Sequence, residues 1–267
     1  MLGVTMKDLD FSKKPLIGVV HLKPLPGSPR YGGDFEEVIE WAIRDAKTYE
    51  EAGFDGIIVE NFGDSPFSKT LPREVIPAFT VVAKAVKKEV SLPLGINALR
   101  NDCIVAYSIA HAVGGSFIRV NVLTGVAFTD QGIIEGCARE LWNVKRIIGG
   151  DILTLADVHV KHAVHFTNFE DAVKDTVERG LADGIIVTGR RTGESISLED
   201  LILAKRVSSI PVLVGSGVNP RNFRTLFKYA DGFIVGTWVK ENGKINNPVS
   251  LERAKILVRM KNSLMGV

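Results

Sequence analysis

Asp55-Gly56-Ile57-Ile58-Val59, Asp183-Gly184-Ile185-Ile186-Val187 and Asp231-Gly232-Phe233-Ile234-Val235 are three copies of one phrase. Each sets an apolar run without polar alternation after an Asp-Gly pair. A strand with one face in water alternates, whereas a strand covered on both faces reads as continuous Val, Ile and Leu, and such strands belong to parallel sheets with helices packed on them. A helix-stop glycine or alanine lies just ahead of each Asp-Gly turn, which itself needs permissive backbone angles. These aspartates are therefore read as structural and given no catalytic role.

Outward from the three phrases, similar runs occur at 16–20, 93–96, 116–120, 152–156 and 211–214, which together with 56–59, 184–187 and 232–235 give eight predicted strands. Amphipathic stretches at 35–52, 73–90, 101–113, 132–148, 169–179, 198–207, 220–229 and 251–260 read as the intervening helices. Alternating βα units of this number predict a (β/α)₈ TIM barrel, and 267 residues match the size of about 250 typical of that fold. The expected organisation is a single domain over 1–267, with residues 1–14 as an N-terminal extension.

A hydrophobic fraction of 45% with 24% charged residues is that of a globular chain with a sizeable core. The net charge of +2 is the difference between 33 basic and 31 acidic residues spread along the sequence, so no nucleic-acid partner is expected. Cys103 and Cys137 lack zinc or redox spacing and read as reduced thiols near the core. The run at 16–20 is too short for a membrane span and lacks a cleavage site, and no amphipathic basic helix or lipidation motif is present, so a cytoplasmic protein without direct membrane insertion is expected. Self-association through the outer helices, giving a homo-oligomer, is the expectation for a barrel of this kind.

Turns from helix to strand are tight, as at Gly53-Phe54, Gly114-Gly115, Gly149-Gly150 and Leu181-Ala182. Loops from strand to helix are long and polar, especially after the first, second, fourth, fifth, sixth and eighth strands. Long ordered loops persist mostly where they act, so the site is placed at the C-terminal ends of the strands.

After the seventh strand comes Gly215-Ser216-Gly217-Val218-Asn219-Pro220, and after the eighth Gly236-Thr237-Trp238. Glycines let main-chain N–H groups approach an anion, Ser216 and Thr237 offer hydroxyls, and a helix N-terminus adds partial positive charge. Gly215, Ser216, Gly217, Gly236 and Thr237 are thus the expected phosphate cup, and Asn219 caps the helix that Pro220 begins. Gly217→Asp is expected to weaken a phosphorylated ligand with little change in melting temperature.

At the other strand ends lie His21 and Lys23, Glu60 and Asn61, Asn97 and Arg100, Arg119 and Asn121, Asp157 with His159 and Lys161, and Thr188 with Arg190 and Arg191. Carboxylate, imidazole and amine on one rim serve proton transfer beside a carbonyl, a Schiff base or a divalent metal. If the fifth strand runs on, Asp157, His159 and Lys161 share one side at period two. The expected catalytic set is His21, Glu60, Asp157, His159 and Lys161, with Lys23, Asn97, Arg119, Asn121 and Thr188 binding substrate. No cofactor is predicted; should a divalent metal be used, Glu60, Asp157 and His159 are the expected ligands. His159, His162 and His165 by themselves read as loop imidazoles rather than a zinc site. Arg190 and Arg191 read either as an anion-gripping loop or as an exposed basic turn, and the prolines of the first loop, Pro24, Pro26 and Pro29, read as stiffening a fixed wall.

His21-Leu22-Lys23-Pro24-Leu25-Pro26-Gly27-Ser28-Pro29, Glu60-Asn61-Phe62-Gly63-Asp64, Asn97-Ala98-Leu99-Arg100-Asn101, Asp157-Val158-His159-Val160-Lys161-His162 and Val214-Gly215-Ser216-Gly217 together resemble the BtpA/SgcQ family over essentially the whole chain. The resemblance implies a TIM barrel of the ribulose-phosphate-binding kind and a family named for photosystem I biogenesis; it carries no settled reaction. The residues favour an enzyme acting on a phosphorylated small molecule, a sugar phosphate or a nucleotide-derived compound, by acid/base lyase or isomerase chemistry. The alternative is a non-catalytic assembly or biogenesis factor that keeps a ligand-binding barrel.

Overall fold

A computed structural model describes residues 9–266. The barrel strands are β1 (Leu16–His21), β2 (Gly56–Glu60), β3 (Leu94–Asn97), β4 (Phe117–Val120), β7 (Leu153–Val158), β9 (Gly184–Val187), β10 (Val212–Val214) and β11 (Gly232–Val235). They are parallel and close in the order β1-β11-β10-β9-β7-β4-β3-β2. The helices outside them are α1 (Phe35–Ala52), α2 (Val75–Glu89), α3 (Cys103–Val113), α4 (Ala138–Ile148), α5 (Phe169–Lys174), α6 (Leu198–Val207), α7 (Pro220–Phe227) and α8 (Leu251–Met265). The chain is therefore the expected TIM barrel.

Period two sorts each strand into two cores. One set, including Leu16, Val20, Ile57, Val59, Ile118 and Val120, packs outward against the helices. The other set, Ile17, Val19, Ile58, Phe117, Leu155, Ile186, Leu213 and Ile234, fills the barrel, and Leu9 with Phe11 from the segment before β1 joins it. Leu9 is thus part of the interior rather than a free extension.

The three Asp-Gly phrases have a common mechanical role. Asp55 Oδ2 accepts from Leu16 N at 2.7 Å, Asp183 Oδ2 from Thr154 N at 2.7 Å, and Asp231 Oδ2 from Val212 N at 2.8 Å. Each carboxylate satisfies an amide at the start of a neighbouring strand, which pins register at the barrel's N-terminal end. Helix ends follow the same local chemistry: Asp34 accepts from Glu37 N to start α1, and Gly53, at φ 89°, stops it.

The predicted helix over 132–148 is corrected. Only Ala138–Ile148 is helical; β5 (Val126–Thr129) and β6 (Gly132–Glu135) form an antiparallel hairpin, joined along β5 by β8 (Ala163–Val164). Gly132, at φ 89°, supports the turn at 130–131, and Thr129 Oγ1 closes it on Gly132 O at 2.9 Å. This small sheet stands over the C-terminal mouth with its own apolar cluster of Val122, Ala127, Ile134 and Val160.

Glycine inside the barrel is dictated by neighbours. A Cβ on Gly95 would lie 2.2 Å from Phe117 Cε2, and Phe117 is fully buried. Gly95→Ala is expected to destabilise the protein by about 1–3 kcal/mol through overpacking, a drop of about 2–4 °C in melting temperature for each kcal/mol. Thermal unfolding measures it; an unchanged midpoint would mean that Phe117 has room to retreat.

Candidate functional site

The inward period that gives Val19, Ile58, Phe117 and Leu155 below gives His21, Glu60, Arg119 and Asp157 one layer higher, joined by Asn97 on β3 and Thr188 just past β9. Register places His21 beside Glu60 and Glu60 beside Asn97. Just past the ends of β10 and β11 the same layer holds Gly215 and Gly236 instead of side chains. The result is a polar ring with a gap on one side.

The gap is required by packing. A Cβ on Gly236 would meet His21 Cε1 at 2.7 Å, and one on Gly215 would meet Ile186 Cγ2 at 2.3 Å. The gap opens into a cavity of about 240 Å³ lined by Gly215, Ser216, Gly217, Gly236 and Thr237 on one side and by His21, Glu60, Arg119 and Lys161 on the other. Gly215 N–H is taken by Val187 O at 2.8 Å and Asn219 N–H by Asn222 Oδ1 at 2.9 Å, leaving the amides of 216–218 between them on the wall. Asn219 and Pro220 begin α7 with a full capping box, so the helix dipole also points at this wall.

Two expectations about the cup are corrected. Ser216 Oγ accepts from Gly189 N at 2.7 Å and donates to Glu194 O at 3.1 Å, so its hydroxyl ties two loops together instead of facing an anion. Gly217 has φ 68°, and a Cβ there would lie 2.3 Å from Glu194 O, so its replacement cannot be thermally silent. Thr237 remains as the cup's hydroxyl, close to the Thr192-Gly193 turn that completes the lining.

The shared face expected of Asp157, His159 and Lys161 does not form. β7 ends at Val158, and His159 turns away at φ 51°. Asp157 is held inside the ring: Oδ2 accepts from Arg119 Nε and Asn121 Nδ2, each at 2.9 Å, and Oδ1 from Arg119 Nη2 at 2.8 Å. Its carboxylate is fully covered and does not line the cavity. His159 stacks on His165 at 4.6 Å, and burial pushes its imidazole down to about 4. It belongs to the outer chamber. The conditional metal set is likewise not assembled: with Asp157 occupied and His159 stacked elsewhere, no group of three His, Cys, Asp or Glu among the described residues could hold an ion.

Lys161 does reach the cavity. Burial, then the guanidinium of Arg119, push its ammonium down to about 8. Among the described residues its Nζ has no hydrogen-bond or ion-pair partner. His21 is buried, held well below its usual range by desolvation and by the positive charges of Lys240, Lys161 and Arg119, and is therefore a neutral imidazole. Its Nε2 lies 4.0 Å from Glu60 Oε1, Glu60 Oε2 accepts from Asn97 Nδ2 at 2.7 Å, and His21 Nδ1 is buried without a partner.

Beyond this ring opens a wider chamber of about 1740 Å³ that shares His21, Glu60, Arg119 and Lys161 with the cup. Lys23, Asn97, Asn121 and Thr188 line it, as does His159. Lys23 pairs with Glu37 and lies 4.7 Å over the Trp41 ring, which commits much of its charge. Asn121 Oδ1 and Thr188 Oγ1 are buried without partners and face no competing bond. The first loop is a fixed wall as expected: Leu25 N donates to Asp64 Oδ1 at 2.8 Å and Gly63 N to Leu22 O at 3.0 Å. The sequence reading missed the chamber's aromatic lining, Trp41, Phe62, Phe67, Phe128 and Phe169. The hairpin signal at 126–135 was the available cue for one of them, Phe128.

Comparison with known proteins fits this architecture. The sequence model of the BtpA family matches residues 12–263. An uncharacterized protein of Pyrococcus horikoshii is 63% identical over 256 residues, covering 96% of this chain and 99% of its own. The photosystem I biogenesis protein BtpA of Synechocystis is 48% identical over 248 residues, 91% of this chain and 86% of its own. Among solved structures, the thiamine phosphate pyrophosphorylase from Pyrococcus furiosus aligns with a TM-score of 0.61 at 14% identity, over 96% of this chain and 99% of that one, a likeness of fold. No helix among the described residues is long and apolar enough to cross a membrane. With a family match running from residue 12 to residue 263 and relatives this similar over nearly all their length, the chain belongs to the BtpA family.

Proposed function

We propose that the protein is an enzyme acting on a phosphorylated small molecule by proton transfer, in a lyase or isomerase reaction. The observation that carries the reading is the cavity whose one wall is glycine backbone at the start of α7 and whose other wall is His21, Glu60 and Lys161. A phosphoryl group seated on the first wall leaves the carbons next to it against the second. Charge-assisted bonds from main-chain amides and Thr237 hold the phosphate, each contributing about 1.5–3 kcal/mol. Neutral His21 and the carboxyl of Glu60 are set to move a proton at an adjacent carbon, and Arg119, fixed by Asp157, supplies positive charge where an enolate develops. Asp157 is then a positioning residue. The fold neighbour from P. furiosus is named for a phosphate compound, which accords with a phosphorylated ligand in a barrel of this fold.

Thr237→Val removes the cup's hydroxyl at nearly constant volume. Its affinity for inorganic phosphate and ribose 5-phosphate is expected to fall about tenfold, while the ligand-free melting temperature stays the same. Calorimetric titration measures the first and thermal unfolding the second. If neither compound binds or stabilises the wild-type protein, the phosphate reading fails; if such esters bind and none is turned over, a ligand-holding assembly factor is the better description.

A further inference from the structure

The main chain around Lys161 is held on several sides. Val160 before it is buried in the apolar cluster under the hairpin, and His165 Nε2 lies 3.1 Å from Val160 O. Arg100 Nη2 donates to Lys161 O at 2.6 Å, and His162 N donates to Arg190 O at 2.9 Å. The residues on either side, His159 and His162, both take positive φ, 51° and 57°. Two other strand-end loops, the one after β3 and the one after the adjacent β9, therefore grip the main chain around one amine.

Arg119 pairs with Asp157, Arg100 with Lys161 O, Lys23 with Glu37 and Lys240 with Asp45. Among the described residues the Lys161 amine has no such partner. It lines both the cup and the wide chamber, at their junction. A lysine that serves a phosphate as a charge is helped by surroundings that favour its cation; here burial first, then Arg119 and Arg100, outweigh Glu60 and Asp157 and bring the amine to about 8, so that about a tenth of it is neutral at pH 7. Neutral amine at a cavity junction is what a nucleophile for carbonyl carbon requires.

We propose that Lys161 attacks the carbonyl carbon of a phosphorylated aldehyde or ketone and holds it as an imine, the phosphate end resting on the cup described above. The Nζ lone pair forms the C–N bond while the carbonyl electron pair moves to oxygen, giving a carbinolamine once a proton passes from nitrogen to oxygen. Loss of the second nitrogen proton with the C–O bond releases water and leaves C=N. Both protons that nitrogen gives up leave on that water, and Glu60, on the same cavity wall, relays them without net change. The imine draws electrons from the neighbouring carbon, where His21 stands to take a proton.

The full-length protein is incubated with ribulose 5-phosphate or glyceraldehyde 3-phosphate, reduced with borohydride and mapped by peptide mass spectrometry. Reduced adduct is expected on Lys161 at about tenfold or more the level on any other lysine, with excess inorganic phosphate suppressing it. Lys161→Arg keeps the positive charge but cannot form the imine, and is expected to lose the adduct while remaining folded by circular dichroism. Adducts spread evenly over surface lysines, or no adduct with either compound, would overturn the proposal, and the wild-type map decides this even if the variant does not fold. Selective labelling of Lys161 without protection by phosphate would keep the imine and remove the cup, whereas phosphate binding without labelling would do the reverse.

Discussion

Arg119→Met is expected to lower the melting temperature by about 10 °C. Arg119 and Asp157 form two hydrogen bonds at 2.8 and 2.9 Å, with side-chain exposures of 3% and 0%, so neither charge has access to bulk water. Removing one member of a buried pair leaves the other charge uncompensated and costs about 3–5 kcal/mol, at roughly 2–4 °C per kcal/mol for a protein of this size. Asn121 Nδ2 still donates to Asp157 and cannot replace a guanidinium. The reverse deletion, Asp157→Leu, strands the arginine and is expected to cost a similar amount. The double variant, Arg119→Met with Asp157→Leu, is expected to recover most of the loss, because an apolar pair of similar volume avoids desolvation altogether. Differential scanning calorimetry on the three variants measures this, and a double variant no more stable than either single would show that the pair is not the coupled unit. The recovered protein also lacks the positive charge at the cavity wall, so stability and ligand handling separate in it.

The barrel was legible because its strands are buried on both faces. Continuous runs such as Gly184–Val187 cannot sit at a solvated edge, and the observed β9 has the predicted bounds. α1 and α6 likewise begin and end where the sequence places them, since Asp34 and Ser197 cap them and, in α1, Gly53 terminates. The hairpin was not read because 132–135 is apolar and adjoins a true helix, and a short apolar run has no distinguishing period. Its turn was nonetheless encoded, in Asp130-Gln131-Gly132 between Val126-Ala127-Phe128-Thr129 and Ile133-Ile134-Glu135.

The site was legible where it followed strand period and obscure where it did not. His21, Glu60, Asn97 and Arg119 are inward positions of their strands, and each falls in the polar ring. Extending the period past β7 failed, because alternation stops where the backbone leaves the sheet, and positive φ at His159 ends it at once. Lys161 reaches the cavity by a different route, a loop pinned from Arg100 and from the hairpin cluster, contacts that span 61 positions in the first case and involve an unread element in the second. Ser216 was misjudged for a related reason: a hydroxyl near a glycine turn suits an anion equally well as a loop-to-loop tie, and only the position of residues 189 and 194 decides.

Gly217 and Gly193 both have positive φ, 68° and 81°, yet their alanine variants are expected to differ. Left-handed backbone alone costs a residue with a Cβ about 1–2 kcal/mol. At Gly193 that is nearly all, since the nearest atoms to a new Cβ belong to Thr237 at 3.6 Å, ordinary contact. At Gly217 the new atom would lie 2.3 Å from Glu194 O and 2.5 Å from Ser195 Cα, main-chain atoms that cannot rotate aside. The loop at 189–195 would have to withdraw, and Ser216 Oγ, bonded to both Gly189 N and Glu194 O, resists that movement. Gly217→Ala is therefore expected to cost about 4 kcal/mol, roughly 10 °C in melting temperature, against about 3 °C for Gly193→Ala. Because Thr192 and Gly193 ride on the displaced loop and line the cup, Gly217→Ala is expected also to lose phosphate binding by more than the Thr237→Val variant does. Equal thermal losses in the two glycine variants would mean that the loop yields freely, in which case the tight contact between the turn after β10 and the loop after β9 is not what shapes the cup.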